Sequence, residues 1–316
     1  MNRPDRKLAA ALILTGGIGL TTVQDAFIKQ ISGGLPFHQM QTIRCGIALA
    51  LILALLAARG EIGSLRVSRP GLVAARSFIL AFASAFFYIG LAAISLADAS
   101  TIYFTMPLMV AALSGLLIGE RVHPWRWIAA VAGFAGVLLT IGPGSSVFEP
   151  AALVTLAATV LYAIGHMLAR PLGDTMKLGA IAFYQCAAFV VLAGLLSLLF
   201  GTGLFESKAH VSLAYLTRPW VTPGSQDVAI LLGFALATAF GMFVYSSAYR
   251  FAAPSFVAPF EYTSLLWAVA LDFTMFGVLP REATLQGAAI IVAAGLFLIW
   301  FERRSQPKAA PQPAGQ

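Results

Sequence analysis

The sequence predicts an all-α integral membrane protein with ten transmembrane helices arranged as two inverted five-helix repeats. Three observations carry this expectation. The chain is 59% hydrophobic and only 10% charged over 316 residues, whereas a soluble domain has about 25% charged residues. Its apolar residues fall into ten runs, roughly 8–28, 36–58, 71–92, 96–118, 125–142, 149–169, 178–200, 228–250, 253–277 and 283–301, each near the length of about 20 residues that crosses a bilayer. Lys and Arg sort by side. If the N-terminus is cytoplasmic, fourteen of them fall in gaps on the cytoplasmic side and only Lys29, Lys208, Arg218 and Arg281 on the other, with Arg44 and Arg76 inside runs. That is the positive-inside bias of a bacterial inner-membrane protein with both termini in the cytoplasm. A helix count wrong by one would scramble it. The formal charge of +7 therefore reads as topology, and no nucleic-acid partner is expected.

The first run follows MNRPDRK. It reads as a membrane helix and not as a cleaved signal, because no small-x-small site follows cleanly and Asp25 and Lys29 lie at its end. Thr15, Thr22, Asp25 and Lys29 share a face. Asp25 and Lys29, four apart, can pair, either as an interfacial ion pair or as a substrate or proton site at the outer mouth. The second run opens with His38, Gln39, Gln41 and Arg44. His38 reads as a surface residue, and Arg44 as a structural clamp that snorkels or pairs with Asp25 or Asp98. Arg76 opens the third run and is expected to snorkel to the cytoplasmic interface. Pro107 sits mid-way in the fourth run, and GPGSSVF is a Gly/Pro/Ser turn after the fifth. Cys45 and Cys186 lie within runs and form no disulfide or metal pattern. The gap 201–227 is the longest. It has room for a short interfacial helix and reads as a passive loop, with a lid as the alternative. The tail 303–316 is Pro/Ala-rich and expected to be disordered.

The ninth run, APSFVAPFEYTSLLWAVALDFTMFG, places Glu261, Ser264, Ala268 and Asp272 on one narrow stripe. A carboxylate facing lipid is costly, so this stripe is expected to face other helices or a wet cavity, Asp272 lying near an interface. The stretch Leu96–Glu120 resembles Arg250–Gly277, and the helix after each is rich in small residues: Gly133 and Gly136 in one, Gly287 and Gly295 in the other. Such glycines let helices approach closely. Two copies of five helices must enter the membrane from opposite sides, as in inverted-repeat transporters, with the site near mid-membrane between halves. The repeats are set at 1–142 and 143–302.

Ala97, Ser100, Pro107, Gly119, Glu120, Trp127, Gly133 and Gly136 form a pattern that resembles the EamA domain of the drug/metabolite transporter superfamily. So do DAFIK…PFHQMQTIR near Asp25 to Arg44 and the C-terminal PFEYTSLLWA…FGVLP…LQGAAIIVAAG. The resemblance covers nearly the whole chain. The second copy departs from the first in answering Gly119-Glu120 with Gly277-Val-Leu-Pro, so Glu120 reads as a topology residue. The resemblance implies a basket of helices around a central cavity, lined by helices 1, 3, 4, 6, 8 and 9, with 5 and 10 packed outside. It also implies a secondary transporter of a small organic metabolite working by alternating access.

Candidate substrate-binding or coupling residues are Glu261, Asp25, Tyr103, Tyr262, Trp267, Tyr88, Tyr162, His166 and Tyr245. Pro107, Pro259, Arg44 and Lys29 are structural or hinge candidates. Tyr near a helix end is more often an interfacial anchor, but mid-helix Tyr103 and Tyr262 favour a cavity role. Stacking faces beside buried carboxylates suit an aromatic, heterocyclic or cationic metabolite. If transport is proton-coupled, Glu261 is the first carrier and Asp25 the second. An integral-membrane enzyme is the weaker alternative, because no HExxH, Asp-rich metal motif or Gly-x-Ser-x-Gly occurs; a structural or sensor subunit without flux is another. No cofactor or metal is expected. The expected partners are a metabolite and lipid, with a homodimer left open.

Overall fold

A computed structural model describes residues 3–118, 124–143, 148–168, 172, 176–251 and 262–305. Among these residues the chain is helical with no strand. The helices are α1 (Arg3–Ile31), α2 (Phe37–Ala58), α3 (Pro70–Leu91), α4 (Leu96–Tyr103), α5 (Met106–Ile118), α6 (Pro124–Ile141), α7 (Ala151–Met167), α8 (Leu178–Phe200), α9 (Val211–Thr217), α10 (Ser225–Phe251), α11 (Thr263–Phe276) and α12 (Glu282–Ser305). Phe37–Ala58, Pro70–Leu91, Gly179–Phe200 and Glu282–Phe301 are each long and apolar enough to cross a membrane, and shorter apolar helices accompany them. The described parts of the apolar runs fall on these helices, with one departure. The fourth run is two helices, broken at Phe104–Thr105. Pro107 is the cause: it has no N–H to donate to the Tyr103 carbonyl, and its ring would clash there. The gap 201–227 holds the short α9. The ninth helix is seen from Thr263 onward, so Glu261, Pro254 and Pro259 lie outside the described residues, as does the tail beyond Ser305.

Four helix pairs pack most extensively: α6 with α12, α3 with α7, α2 with α8, and α1 with α10. Exchanging each apolar run for the one five places along turns the α1–α10 pair into α7–α3. The same exchange leaves α2–α8 and α6–α12 unchanged. It also turns α2–α10 into α8–α3, and α1–α11 into α7 with α4 and α5, all of which are observed. The tightest approach joins the two glycine-bearing helices. A Cβ on Gly136 of α6 would stand 2.7 Å from the Gly287 carbonyl oxygen, and one on Gly287 of α12 would stand 2.5 Å from that of Gly136. Gly133 makes room for Leu108, and Gly295 for the Tyr262 hydroxyl.

The loops sort into two ends by their own contacts. At one end, Tyr184 on α8 donates to the Leu65 carbonyl at 2.6 Å, and Lys177 pairs with Glu61 at 2.9 Å. At the other, the segment around α9 is bolted to α1, α2 and α8. His38 meets Ser197 and the Arg218 carbonyl at 3.1 Å each, and Gln39 exchanges two bonds with the Val221 backbone at 2.6 and 3.0 Å. Arg218 donates to the Ser32 carbonyl at 3.0 Å, and Tyr215 is buried against Phe37. His38 is thus fully buried and not a surface residue: it is held between Ser197 of α8 and the Arg218 carbonyl of the 201–227 segment. Arg76, expected to snorkel, is also buried; α3 is packed there by Leu172 and Met176, which line a small pocket with it.

Gly136→Ala or Gly287→Ala should destabilise the fold by about 1–3 kcal/mol through overpacking, read as a lower melting temperature in detergent. Gly16→Ala, where a Cβ would meet nothing within 4 Å, should leave it unchanged or raise it slightly. The Lys177 ammonium holds the Glu61 carboxyl below its usual range by hydrogen bond and charge. That pair's contribution is therefore complete above the ordinary Glu range and is lost as pH falls through the depressed value. An NMR titration should show Glu61 returning to its ordinary range in Lys177→Ala.

Candidate functional site

Five helices bring one polar and aromatic cluster together inside the bundle. Asp25 lies six residues from the end of α1, about 9 Å by helical rise. Its Oδ1 accepts from the Tyr88 hydroxyl at 3.0 Å. The Arg44 guanidinium of α2 lies over the Tyr88 ring, 5.3 Å from its centroid. Arg44 Nη1 stands 3.4 Å from the Tyr88 hydroxyl, and Nη2 donates to Gln41 Oε1 at 2.8 Å. Next to Tyr88 on α3, Phe87 meets Tyr103 and Tyr162 edge-to-face at 6.0 and 6.5 Å. Tyr103 and Tyr162 are 5.5 Å apart at 85°. Edge-to-face rings of this kind leave faces on which a flat or cationic group can stack.

At the end that carries α9, a lattice of polar bonds closes over this cluster. Both oxygens of Asp272, a residue only 1% exposed, accept the first backbone amides of α4: Leu96 N at 3.1 Å and Ala97 N at 2.8 Å. This caps α4 from another helix. Lys29 donates to the carbonyls of Leu91 (3.2 Å) and Ile94, with Phe276 5.6 Å away. Asp98 accepts from Arg281 at 3.2 Å and from Thr284 at 2.5 Å, and Arg281 also donates to the Thr140 carbonyl at 2.8 Å. Glu149 meets His210 at 2.8 Å.

The candidates fare differently. Asp25, Tyr88, Tyr103, Tyr162 and Arg44 are brought together. His166 lies one turn beyond Tyr162 on α7 and is exposed, towards the end where Lys177 lies. Tyr262 packs edge-on to Phe104 at 5.2 Å. Trp267, 40% exposed, lies against Gly19 of α1. Glu261, Pro259 and the Tyr245 side chain lie outside what is described. Asp25 and Lys29 do not pair, because Tyr88 takes the acid and the α3 C-terminal carbonyls take the amine. Arg44 forms no ion pair with Asp25 or Asp98; Tyr88 stands between it and the first, and Arg281 and Thr284 hold the second. Asp272 lies at the α9 end, buried against the start of α4. Phe87, which joins the three tyrosines, carried no sequence signal, being one of 23 phenylalanines. Among the described residues no group of three or more His, Cys, Asp or Glu is placed to hold a metal.

Residues 8–142 match the EamA-like transporter family. The S-adenosylmethionine uptake transporter of Rickettsia prowazekii is 25% identical over 285 residues, covering 90% of each chain. Two further relatives are the riboflavin transporter of Vibrio cholerae, 26% identical over 93% of this chain and 94% of its own, and the pseudopaline exporter CntI of Pseudomonas aeruginosa, 24% identical over 88% and 91%. One solved crystal structure superposes with a TM-score of 0.62 over 95% of this chain and 99% of its own, at 19% identity, a likeness that shows the fold alone. Arg44 comes from the second helix, which the family resemblance does not count among those lining the cavity.

Asp272→Ala should leave two buried amides without acceptors and lower stability by about 1–3 kcal/mol. Hydrogen exchange read by mass spectrometry should show faster exchange at the start of α4 than in the wild type.

Proposed function

We propose that the protein is a permease that moves a small organic metabolite across the bacterial inner membrane by alternating access, with its two five-helix halves inverted relative to one another and both termini cytoplasmic. One observation carries this reading: Asp25, Arg44 and three tyrosines from five helices converge inside the bundle. Membrane proteins hold ionisable groups there for substrate or ion pathways. The exchange symmetry of the helix pairs supports two equivalent halves, and the five-run length of each half supports their inversion. The polar lattice around Asp272, Lys29 and Asp98 supports a conformation closed at the α9 end, which the positive-inside bias makes the outer one. His166, exposed on the Tyr162 face towards the opposite end, supports a path from the cytoplasm. The break before Pro107 supplies a joint at which α4 and α5 can move separately. S-adenosylmethionine and riboflavin, named for the relatives, both carry a flat heterocycle that the tyrosine faces would stack. Glu261 and Asp25 remain the first and second choices for a proton carrier.

Proteoliposomes test this directly. Purified protein should exchange labelled S-adenosylmethionine or riboflavin across the membrane, and Asp25→Asn should slow that exchange roughly 10- to 100-fold, the size of one lost charge-assisted bond. Glu261→Gln should keep exchange but lose any response to an imposed pH gradient. Vesicles that pass no metabolite from a broad library would sink the permease reading. A wild-type flux blind to the gradient would remove only the coupling.

A further inference from the structure

We infer that Arg44 is a carboxylate-binding residue, and that with Asp25 and Tyr88 it forms a seat for the head group of an α-amino-acid-bearing metabolite. The inference rests on the permease reading and narrows its substrate class.

Arg44 is 3% exposed, so its charge is held away from water. A guanidinium in that position ordinarily answers a carboxylate, with two parallel bonds. Here Nε has no hydrogen-bond partner. Nη1 has only the 3.4 Å approach to Tyr88, at the far limit of a useful bond. Only Nη2 is well held, by the neutral Gln41. No acid among the described residues forms an ion pair with Arg44. The acids of the lattice at the α9 end are engaged elsewhere: Asp98 by Arg281 and Thr284, and Asp272 by the α4 amides. A residue that merely clamped α2 would be expected to close onto an acid, and this one does not.

Asp25 is linked to Arg44 through the Tyr88 hydroxyl, 3.0 Å on one side and 3.4 Å on the other. The site thus offers a fixed cation and a fixed anion one hydroxyl apart. A ligand fits it by bringing a carboxylate to Arg44 and an ammonium to Asp25. Gln41 and the Tyr88 ring hold the guanidinium plane in place beforehand, as bidentate recognition requires. Phe87 adjoins Tyr88, and Tyr103 and Tyr162 adjoin Phe87, forming an aromatic wall for the rest of the molecule. A neutral heterocycle would use the wall and leave Arg44 as it is.

The test pairs each amino-acid ligand with its decarboxylated analogue. S-adenosylmethionine with decarboxylated S-adenosylmethionine, L-tryptophan with tryptamine, and riboflavin as a ligand without either charge are titrated against the purified full-length protein, with melting temperature as the readout and proteoliposome exchange alongside. At least one carboxylate-bearing member should raise the melting temperature, and its amine analogue should bind roughly 10- to 100-fold more weakly. Arg44→Lys, which keeps the charge and loses the fork, should bind the carboxylate member more weakly, and Arg44→Gln should abolish the preference. The wild-type comparison needs no variant to fold. Equal binding of an amine and its parent, or a preference that survives Arg44→Gln, overturns the inference. Binding and flux of riboflavin alone would overturn it while leaving the permease intact, whereas silence of every probe together with absence of any flux would overturn both.

Discussion

Both carboxylate oxygens of Asp272 accept from the first amides of α4, and this one interaction shows what governs the whole bundle. A carboxylate at the centre of a lipid-facing helix costs about 2.5–3.5 kcal/mol or more. A hydrogen bond to a charged group contributes roughly 1.5–3 kcal/mol, so two such bonds can offset that penalty only if α11 stays packed against α4. The free amides at a helix start carry the complementary need, because nothing inside the helix can accept from them. Each element removes the other's liability. α4 and α11 belong to the fourth and ninth apolar runs, which correspond under the five-run exchange.

The same rule organises the rest of that end of the molecule. Lys29 answers the exposed carbonyls where α3 ends, Asp98 answers Arg281 and Thr284, and the α9 segment answers His38 and Gln39. That end is therefore held by bonds that water can also make. Such bonds give way where an interdigitated apolar seam would not, because solvent entering the gap replaces each lost partner. Apolar packing does the permanent work elsewhere, most tightly where Gly136 and Gly287 let α6 and α12 touch backbone to backbone.

Arg44 departs from the rule. It is only 3% exposed and yet keeps a donor without an acceptor. Sites that bind and release a ligand are where buried polar groups are left incomplete by the protein itself, since a seat filled from within has no affinity to offer. Its neighbours are complete: Gln41 and Tyr88 both hold it in place, which separates an incomplete site from a loosely built one.

Much of the fold was legible in the residues. The apolar runs lie on helices, the break in the fourth follows from Pro107, the small residues of α6 and α12 mark the closest crossing, and the Ser264–Ala268–Asp272 stripe turns inward. The polar positions were legible in kind but not in partnership. Asp25 and Lys29 are neighbours on one helix face, yet each bonds to α3 or the turn after it. His38 and Arg76 looked like interface residues because nothing local reveals that the 201–227 segment or Leu172 and Met176 will cover them. Phe87, which joins three tyrosines, differs in no way from any other apolar residue of a membrane helix. By itself the sequence determined what hydrocarbon enforces one helix at a time: which stretches are helical, where a proline interrupts them, and which side chains must be hidden. Only the tertiary structure decided which hidden groups meet, because a buried charge specifies that it must have a partner and leaves the choice among distant helices to the packing that brings them within 3 Å.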